Sequence, residues 1–313
     1  MDSPSLTICV AALTYKRPEC LGRLLAAFEC LEMPDDASVS ILIVDNDPVR
    51  TAYDAVESAK CRYPALDIRY VVEVEPGIPA GRNRALDESL SLGADVLCFV
   101  DDDAWPDPLW LNSLIACYRE SKAHLIFGPV RLYRPGGLRS LWKRFLAASI
   151  ESRSRFLERF SEKESRRGRI ARSGTGNWLG DLRWIARQEV RFDLSMRYTG
   201  GSDTAFRELA RKKAARMVWC PKALVFEEIE EDRLSIRYQF KRARIQGMIA
   251  ARFKRKIHPV IIRHPIGRIG VGIFLIVFPV FGLASFTLGL HQLGMGVGAI
   301  QFRRAPHSKL YSR

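Results

Sequence analysis

The stretch DVLCFVDDD, residues 95–103, joins a short apolar run to three consecutive aspartates. Three similar apolar runs precede it: LTICVAALTY at residues 6–15, VSILIVDND at residues 39–47 and DIRYVVEVE at residues 67–75. Segments with the apolar spacing of helices separate these runs. Short apolar runs that alternate with helices are typical of βαβ units. The sequence therefore predicts an α/β fold with a mostly parallel central sheet and flanking helices.

Acidic residues follow two of the four predicted strands. Asp45 comes after ILIV, and Asp101, Asp102 and Asp103 come after VLCFV. In open α/β sheets, ligands bind outside the carboxyl ends of the strands, which is where these carboxylates are expected. Asp45 alone is equally well explained as a cap for the next turn. Three consecutive aspartates repel one another, so we predict that a DxD pair holds a hard divalent cation that bridges nucleotide phosphates.

The chain has neither of the two commonest backbone loops for phosphate. It contains no GxxxxGK[ST] sequence and no GxGxxG after the first strand. A bound nucleotide would therefore depend on a metal and on cationic side chains. Arg82, Asn83 and Arg84 are candidates, because they open a predicted helix and both helix N-termini and guanidinium groups suit phosphates.

The positive charge of the chain is concentrated near its end. The 313 residues carry a net charge of +14, but residues 233–313 hold 15 Lys and Arg and no Asp or Glu. The first 232 residues therefore have 34 basic and 35 acidic side chains. The composition is that of a globular protein and excludes a disordered or collagen-like chain. We predict a catalytic domain at residues 1–232 and an attachment segment at residues 233–313.

The attachment segment contains a long uncharged run. Residues 269–302 include no Lys, Arg, Asp or Glu, and basic residues lie on both sides of them. Such a run exceeds the ~18–20 apolar residues that cross a bilayer, so we predict contact with membrane lipids. Because basic residues prefer the cytoplasmic side, a hairpin broken near residues 279–285 is favoured slightly over a single span.

The cysteines and the N-terminus indicate a cytoplasmic location. The seven cysteines form no CxxC pair and no zinc spacing, which is typical of a reducing compartment. The first residues, MDSPSLTICVAAL, have no basic region before the apolar stretch and do not resemble a signal peptide. We therefore predict a protein at the cytoplasmic face of the inner membrane.

The middle of the chain, at about residues 136–172, is a predicted Arg-rich insert with helical spacing, in which residues 161–169 form a solvated loop. After it, RSGTGNWLG clusters small residues around Asn177 and Trp178, which is typical of close backbone approach to a ligand. Ser202 is predicted to cap a helix over residues 202–213, and residues 217–228 are predicted to form a strand.

Six motifs occur in order within residues 5–230: ALTYKRP at 12–18, VDN at 44–46, GIPAGRNRAL at 77–86, FVDDDAWPDPLWL at 99–111, GTGNW at 174–178 and GGSDTAFRELARK at 200–212. Together they resemble the family 2 glycosyltransferases, especially bacterial exopolysaccharide enzymes of the succinoglycan-pathway type. The resemblance implies a GT-A fold and an inverting transfer from a nucleotide-diphosphate sugar, with Mg²⁺ or Mn²⁺ as the metal. A lipid-linked (polyprenyl) saccharide is the acceptor that we expect.

The resemblance also implies roles for single residues. On the donor side they are Thr14, Tyr15 and Arg17 in the nucleoside pocket, Asp45 at the base or ribose, Arg82 and Asn83 in the sugar-nucleotide segment, and Asp101 with Asp103 as the DxD pair. Asp103 is the favoured metal ligand, and Glu227 or Glu228 stands where many members have a further His ligand.

On the acceptor side, the resemblance places Asp203 as the catalytic base, with Ser202, Asn177 and Trp178 nearby. The family usually has Glu-Asp where this chain has Ser202 and Asp203. Taken alone, Asp203 would be explained by the preference of helix N-termini for negative charge. A base is nevertheless needed, because an acceptor hydroxyl has a pKa far above 7.

Three other functions are consistent with parts of the sequence. A catalytically inactive membrane scaffold would keep the same fold, although the intact aspartates argue against it. A metal-dependent nucleotidyltransferase would also use carboxylates on an α/β sheet and would release pyrophosphate. A nucleic-acid-binding protein would explain the basic end, but the chain has no zinc-finger, homeodomain or RNP signature, so we expect no nucleic-acid partner.

Overall fold

The computed structural model describes residues 6–134, 136–167, 176–198, 200–253 and 264–304. The chain divides into two compact units. Unit 1 comprises Met1–Val130, Arg172–Arg197 and Gly201–Glu227, and unit 2 comprises Arg131–Ala171, Tyr198–Gly200 and Glu228–Arg313. The predicted boundary after residue 232 lies close to the last change of unit, whereas most of the Arg-rich insert groups with the C-terminal residues.

Unit 1 is built on strands that alternate with helices. In chain order its strands are β1 (Leu6–Thr14), β2 (Ala37–Asp45), β3 (Asp67–Val72), β4 (Val96–Asp101), β5 (Ala104–Pro106), β6 (Leu125–Phe127), β8 (Asn177–Asp181), β9 (Met217–Trp219) and β10 (Val225–Glu228), and β7 (Val130–Tyr133) begins at its edge. Its helices are α1 (Pro18–Glu29), α2 (Tyr53–Arg62), α3 (Ile78–Ser91), α4 (Trp110–Ser121), α6 (Leu182–Arg187) and α7 (Ser202–Lys212).

The main sheet of the described residues has seven strands in the order β3-β2-β1-β4-β8-β6-β9. Strands β3, β2, β1 and β4 are parallel to one another, and β6 and β9 are parallel to each other. Strand β8, between β4 and β6, runs antiparallel to both. The predicted mostly parallel sheet is thus confirmed. The register pairs Thr14 with Asp45 and Leu13 with Asp101. The carboxyl ends of the three adjacent strands β2, β1 and β4 therefore meet at one edge of the sheet.

Apolar packing explains why these segments fold as they do. Residues 8–12 of β1 are fully buried, because the strand is covered on both faces. Helix α1 begins with proline and buries Leu21, Leu24, Leu25 and Phe28, the stripe expected from i, i+3, i+4, i+7 spacing.

Three local predictions need correction. The third strand ends at Val72 rather than residue 75. The cap of α7 is Gly201 in the left-handed conformation (φ 88°), and Ser202 is the first helical residue. Residues 217–228 form two strands rather than one, since Pro221 lies between β9 and β10 and has no backbone N–H for a strand ladder.

Unit 2 is largely helical. It contains α5 (Leu141–Ser165), α8 (Ile236–Arg252), α9 (Pro265–Val277) and α10 (Ala284–Arg304). The loop predicted at residues 161–169 is wrong for its first half, because α5 continues to Ser165 and Ser161 is buried, donating to the Leu157 carbonyl at 2.9 Å. Residues 168–175 lie outside the described residues.

The interruption between α9 and α10 spans residues 278–283 and coincides with the predicted break. Parts of the basic flanks, at residues 254–263 and 305–313, lie outside the described residues. Within the described ranges, no helix combines the length and the hydrophobicity that crossing a bilayer requires.

Candidate active site

The turn after β4 brings the aspartate triplet against the end of β1. The Thr14 hydroxyl donates to Asp102 Oδ2 at 2.8 Å. Arg17 Nη1 lies 3.1 Å from Asp103 Oδ2 and 3.6 Å from Asp102 Oδ1. Tyr15 lies between Thr14, the last residue of β1, and Arg17, which precedes α1, and its ring is exposed. Thr14 and Arg17, predicted for the nucleoside pocket, therefore lie in one cluster with the triplet, which contains the aspartates predicted to bind the metal.

Arg82 connects the triplet to the start of α7. Its guanidinium pairs with Asp203 through Nη1 and lies 3.4 Å from Asp101 Oδ1 through Nη2. The side chain is only 6% exposed and lies over the rings of Phe99 and Phe192, at 5.4 and 5.6 Å from their centroids. Its Nε atom is buried and has no hydrogen-bond partner within the described part of the chain. One buried cation thus joins two carboxylates that are far apart in the sequence.

Asp203 occupies the first turn of α7, where the partial positive charge of the helix N-terminus favours a carboxylate. The Ser202 hydroxyl lies 3.3 Å from Asp203 Oδ1. The Asp203 side chain remains partly open to solvent although Arg82 is buried behind it. A carboxylate that is oriented by a cation and reachable from solvent is able to accept a proton from a bound hydroxyl.

The electrostatic environment of the triplet disfavours three full negative charges. The surrounding protein desolvates Asp101 and raises the pKa of its carboxyl, an effect that the Arg82 charge opposes. Burial raises the pKa of Asp102 to about 6, although the hydrogen bond from Thr14 lowers it. Because the neighbouring aspartates add repulsion at both positions, the triplet is a site at which positive charge would be stabilising.

The donor set fits a hard divalent cation. Carboxylate oxygens are the ligands that Mg²⁺ and Mn²⁺ prefer, and Mg²⁺ often takes only one or two of them together with substrate phosphates. The register of β5 and β10 places Glu227 opposite Ala104, the residue after Asp103. Among the described residues, no three His, Cys, Asp or Glu side chains are close enough together to form a complete metal site.

Comparison with known proteins identifies the family. The model of glycosyl transferase family 2 matches residues 9–179, more than half of the chain. The chain is a family 2 glycosyltransferase. A similar curated protein is the succinoglycan biosynthesis protein ExoM of Rhizobium meliloti (strain 1021), which is 30% identical over 247 residues, covering 77% of this chain and 73% of that protein.

Two solved structures have a similar fold. TarS 1–349 of S. aureus in complex with UDP has a TM-score of 0.54 at 13% identity, covering 96% of this glycosyltransferase and 92% of that chain. The mannosyltransferase PcManGT of Pyrobaculum calidifontis, in complex with GDP-Man and Mn²⁺, has a TM-score of 0.56 at 15% identity, with 98% and 78% covered. These similarities confirm the predicted GT-A fold of the glycosyltransferase.

Two predicted donor residues have structural partners in the glycosyltransferase. The Asp45 carboxylate accepts from the backbone of Asp47 and Ala52 and from the Tyr70 hydroxyl, at 2.8–3.1 Å. Desolvation, and after it the hydrogen bond to Asp45, raises the pKa of Tyr70. Asn83 exchanges two hydrogen bonds of 2.9 Å with the backbone of Phe192. Asp45 thus orders the turn before α2, which agrees with its interpretation as a cap for that turn. Asn83 fixes the backbone of Phe192, whose ring lies against Arg82.

Asn177 and Trp178 are not available to an acceptor, which corrects their predicted role. They are 1% and 0% exposed on the central strand β8. The Asn177 amide donates to the Pro129 and Ala223 carbonyls and accepts from the indole of Trp110. Gly176, the small residue directly before them, has a different purpose, because a Cβ there would lie 2.4 Å from Asp101 Oδ2. Gly176 therefore makes room for Asp101 of the triplet.

Sequence reasoning did not find the rings of Phe99 and Phe192 that flank Arg82. Phe99 lies in the apolar run of β4, where nothing distinguishes it from a core residue. Phe192 stacks on Phe206 at 4.2 Å and lies outside the six sequence motifs. Only the three-dimensional arrangement reveals that these aromatic rings cover the guanidinium.

Proposed function

We propose that this glycosyltransferase moves a sugar from a nucleoside-diphosphate sugar to an acceptor hydroxyl with inversion, and that Asp203 is the base. The observation that carries the proposal is the link through Arg82 between the aspartate triplet and Asp203. Through this link, the buried guanidinium of Arg82 pairs both with Asp101 on the donor side and with Asp203, the proposed base. The complexes of TarS with UDP and of PcManGT with GDP-Man and Mn²⁺ support a nucleotide donor and a divalent metal.

In the proposed reaction, the acceptor oxygen attacks the anomeric carbon from the face opposite the diphosphate. The new C–O bond forms as the bond to the diphosphate oxygen breaks, and the nucleoside diphosphate leaves with that electron pair. Asp203 takes the proton of the hydroxyl, which would otherwise be too weak a nucleophile near neutral pH. Mg²⁺ or Mn²⁺, when bound at Asp101 and Asp103 with Glu227 close by, would neutralise charge on the diphosphate.

Arg82 and Arg17 are the cationic side chains at this edge of the sheet that pair with the triplet. We propose that both also face the donor diphosphate, since guanidinium groups bind phosphate oxygens through paired N–H donors. Thr14 and Tyr15 would then lie on the nucleoside side.

The acceptor is proposed to be a lipid-linked saccharide in polysaccharide biosynthesis at the cytoplasmic face of the membrane. Two observations support this. The curated relative carries the name of a succinoglycan biosynthesis protein. The C-terminal residues carry 15 basic side chains and an uncharged run that suits lipids.

The proposed reaction is tested by screening nucleotide sugars for release of nucleoside diphosphate, with Mg²⁺, with Mn²⁺ and with a chelator. We expect release that depends on the metal and falls by about 10²-fold or more in Asp203→Asn, while donor binding is retained. Asp54→Asn is the matched control, because Asp54 occupies the same second position of its helix, α2, outside the site.

Equal activity of Asp203→Asn and Asp54→Asn would show that another residue is the base. Release of pyrophosphate instead of nucleoside diphosphate would identify a nucleotidyltransferase. Binding of every donor without any turnover, across all acceptors supplied, would favour the inactive scaffold.

A further inference from the structure

Unit 2 exposes large apolar side chains at one turn. Residues 273–283 cover the end of α9 and the link to α10, and we call them the apolar turn. Phe274, Val277, Phe278 and Val280 are each at least half exposed there. Soluble monomeric proteins seldom expose so many contiguous large apolar side chains, and such a patch usually marks a binding surface.

The helices next to the apolar turn pack through glycine. A Cβ on Gly298 of α10 would lie 1.9 Å from the Arg244 carbonyl oxygen of α8. A Cβ on Gly289 would lie 2.6 Å from the Gly272 carbonyl oxygen of α9. Close approach of backbones through small residues is typical of helices in lipid, where the large apolar side chains face outward. The same division is present here, since glycines fill the contacts and phenylalanines are exposed.

Basic side chains lie at the same end of these helices. Arg153 of α5 donates both to the Thr287 carbonyl, in the first turn of α10, and to Gln239, in the first turn of α8. Helices α8 and α10 therefore begin near each other and near the apolar turn. Arg237 and Lys241, in the first two turns of α8, are exposed.

The charge of the C-terminal residues indicates which partner the apolar turn binds. Residues 233–313 carry no acidic side chain, so an anionic lipid surface is complementary to them. A second copy of the chain is not, because a twofold dimer would bring the same basic surface against itself.

We propose that the apolar turn inserts into one leaflet of an anionic bilayer, with unit 2 lying on the membrane surface. Helix α9 has 13 residues and so extends about 20 Å, less than the ~30 Å hydrocarbon core. Helix α10 is buried at 11 of its 21 positions by neighbouring helices and is not free to enter lipid by itself. The inference rests on the proposed function for its biological purpose, because it specifies how that enzyme reaches a lipid-linked acceptor.

The test is flotation of the full chain with vesicles of phosphatidylcholine alone and of phosphatidylcholine mixed with phosphatidylglycerol. We expect the protein to float with the anionic vesicles and to lose at least about tenfold in vesicle affinity in Val280→Asp, because a carboxylate is costly in lipid. Val49→Asp is the matched control, since Val49 is 76% exposed in unit 1 and Val280 is 59% exposed.

A second variant tests the charge without touching the apolar turn. Arg237→Gln combined with Lys241→Gln is expected to weaken binding to anionic vesicles severalfold and to flatten its dependence on salt. Circular dichroism of each variant checks that the helices persist.

Three results would overturn the proposal. The first is that the protein does not float with anionic vesicles, and the second is that Val280→Asp floats as well as the parent chain. The third is that the protein binds no vesicles but forms a dimer that Val280→Asp disrupts. Flotation needs neither donor nor acceptor, so its failure alongside normal nucleoside-diphosphate release would reject the membrane surface alone. Loss of that release alongside normal flotation would reject only the proposed reaction.

Discussion

The two units of this protein bury different kinds of residue. In unit 1, large apolar side chains such as Phe28 and Trp110 fill the space between sheet and helices and are fully buried. In unit 2, glycines of α10 occupy the contacts with α8 and α9, and Phe274, Phe278 and Phe281 are exposed. The packing of unit 1 is the one expected for a protein in water, because the burial of apolar surface drives it. The packing of unit 2 resembles that of helices whose surroundings are apolar.

Polar contacts reinforce this difference. In unit 1, buried polar groups lie at the carboxyl edge of the sheet, where the Thr14 hydroxyl donates to Asp102 and Arg82 pairs with Asp203. In unit 2, hydrogen bonds join helices directly: the Ser149 hydroxyl donates to the Leu283 carbonyl, and the Thr287 hydroxyl donates to the Ser149 carbonyl at 3.0 Å. Contacts through small and polar residues thus join α5 and α10 in unit 2, in addition to the apolar cluster around Leu146 and Ile150.

The largest expected effect on the free energy of unfolding comes from replacing one phenylalanine by alanine in each unit and comparing the two losses. Phe28→Ala, at a fully buried position of α1, is expected to lower the free energy of unfolding by about 3–5 kcal/mol. Phe274→Ala, at a 50% exposed position of α9, is expected to cost less than about 1 kcal/mol. Denaturant unfolding followed by tryptophan fluorescence and circular dichroism measures both. Similar losses at the two positions would contradict the difference between the units.

An intermediate effect is expected where backbones meet in unit 2. Gly298→Ala would place a methyl group against the Arg244 carbonyl, and we expect a loss of about 1–3 kcal/mol. Gly270→Ala, on α9, is the control, because a Cβ there meets nothing within 4 Å and alanine favours a helix over glycine. The melting temperature of each variant is measured by helical circular dichroism. A destabilised Gly270→Ala together with an unaffected Gly298→Ala would contradict the prediction.

The smallest effect is expected for the hydrogen bonds between Ser149 and Thr287 in unit 2. Thr287→Val keeps the shape of the side chain but removes the hydroxyl that bonds Ser149, so we expect a loss of about 1 kcal/mol. Thr7→Val, on β1 of unit 1, is the control, because the Thr7 hydroxyl makes no hydrogen bond within the described part of the chain. Trp142 is the only tryptophan among the residues assigned to unit 2, so a Trp142→Phe background separates the fluorescence of unit 1 from the response of the whole chain.

Much of the fold was predictable because its signals are local. Apolar runs of strand length and the stripe of Leu21, Leu24, Leu25 and Phe28 each reflect a repeat along a few residues. The site was predictable in part, since Asp101 and Asp203 were named from motifs and both pair with Arg82. The acceptor-side role of Asn177 and Trp178 was wrong, because a cluster of small residues does not indicate which side chains turn inward.

By itself, the sequence determined the order of strands and helices, the carboxylates at the strand ends, the family and the basic, acid-free C-terminal part. These depend on residue type and on spacing within short segments. Only the tertiary structure decided that Arg82 pairs with Asp203, 121 residues away, that Asn83 binds Phe192 backbone, and that glycines of α10 face α8. Such contacts depend on how distant segments pack, and the energy of a buried charge or a close backbone contact arises only when that packing removes water.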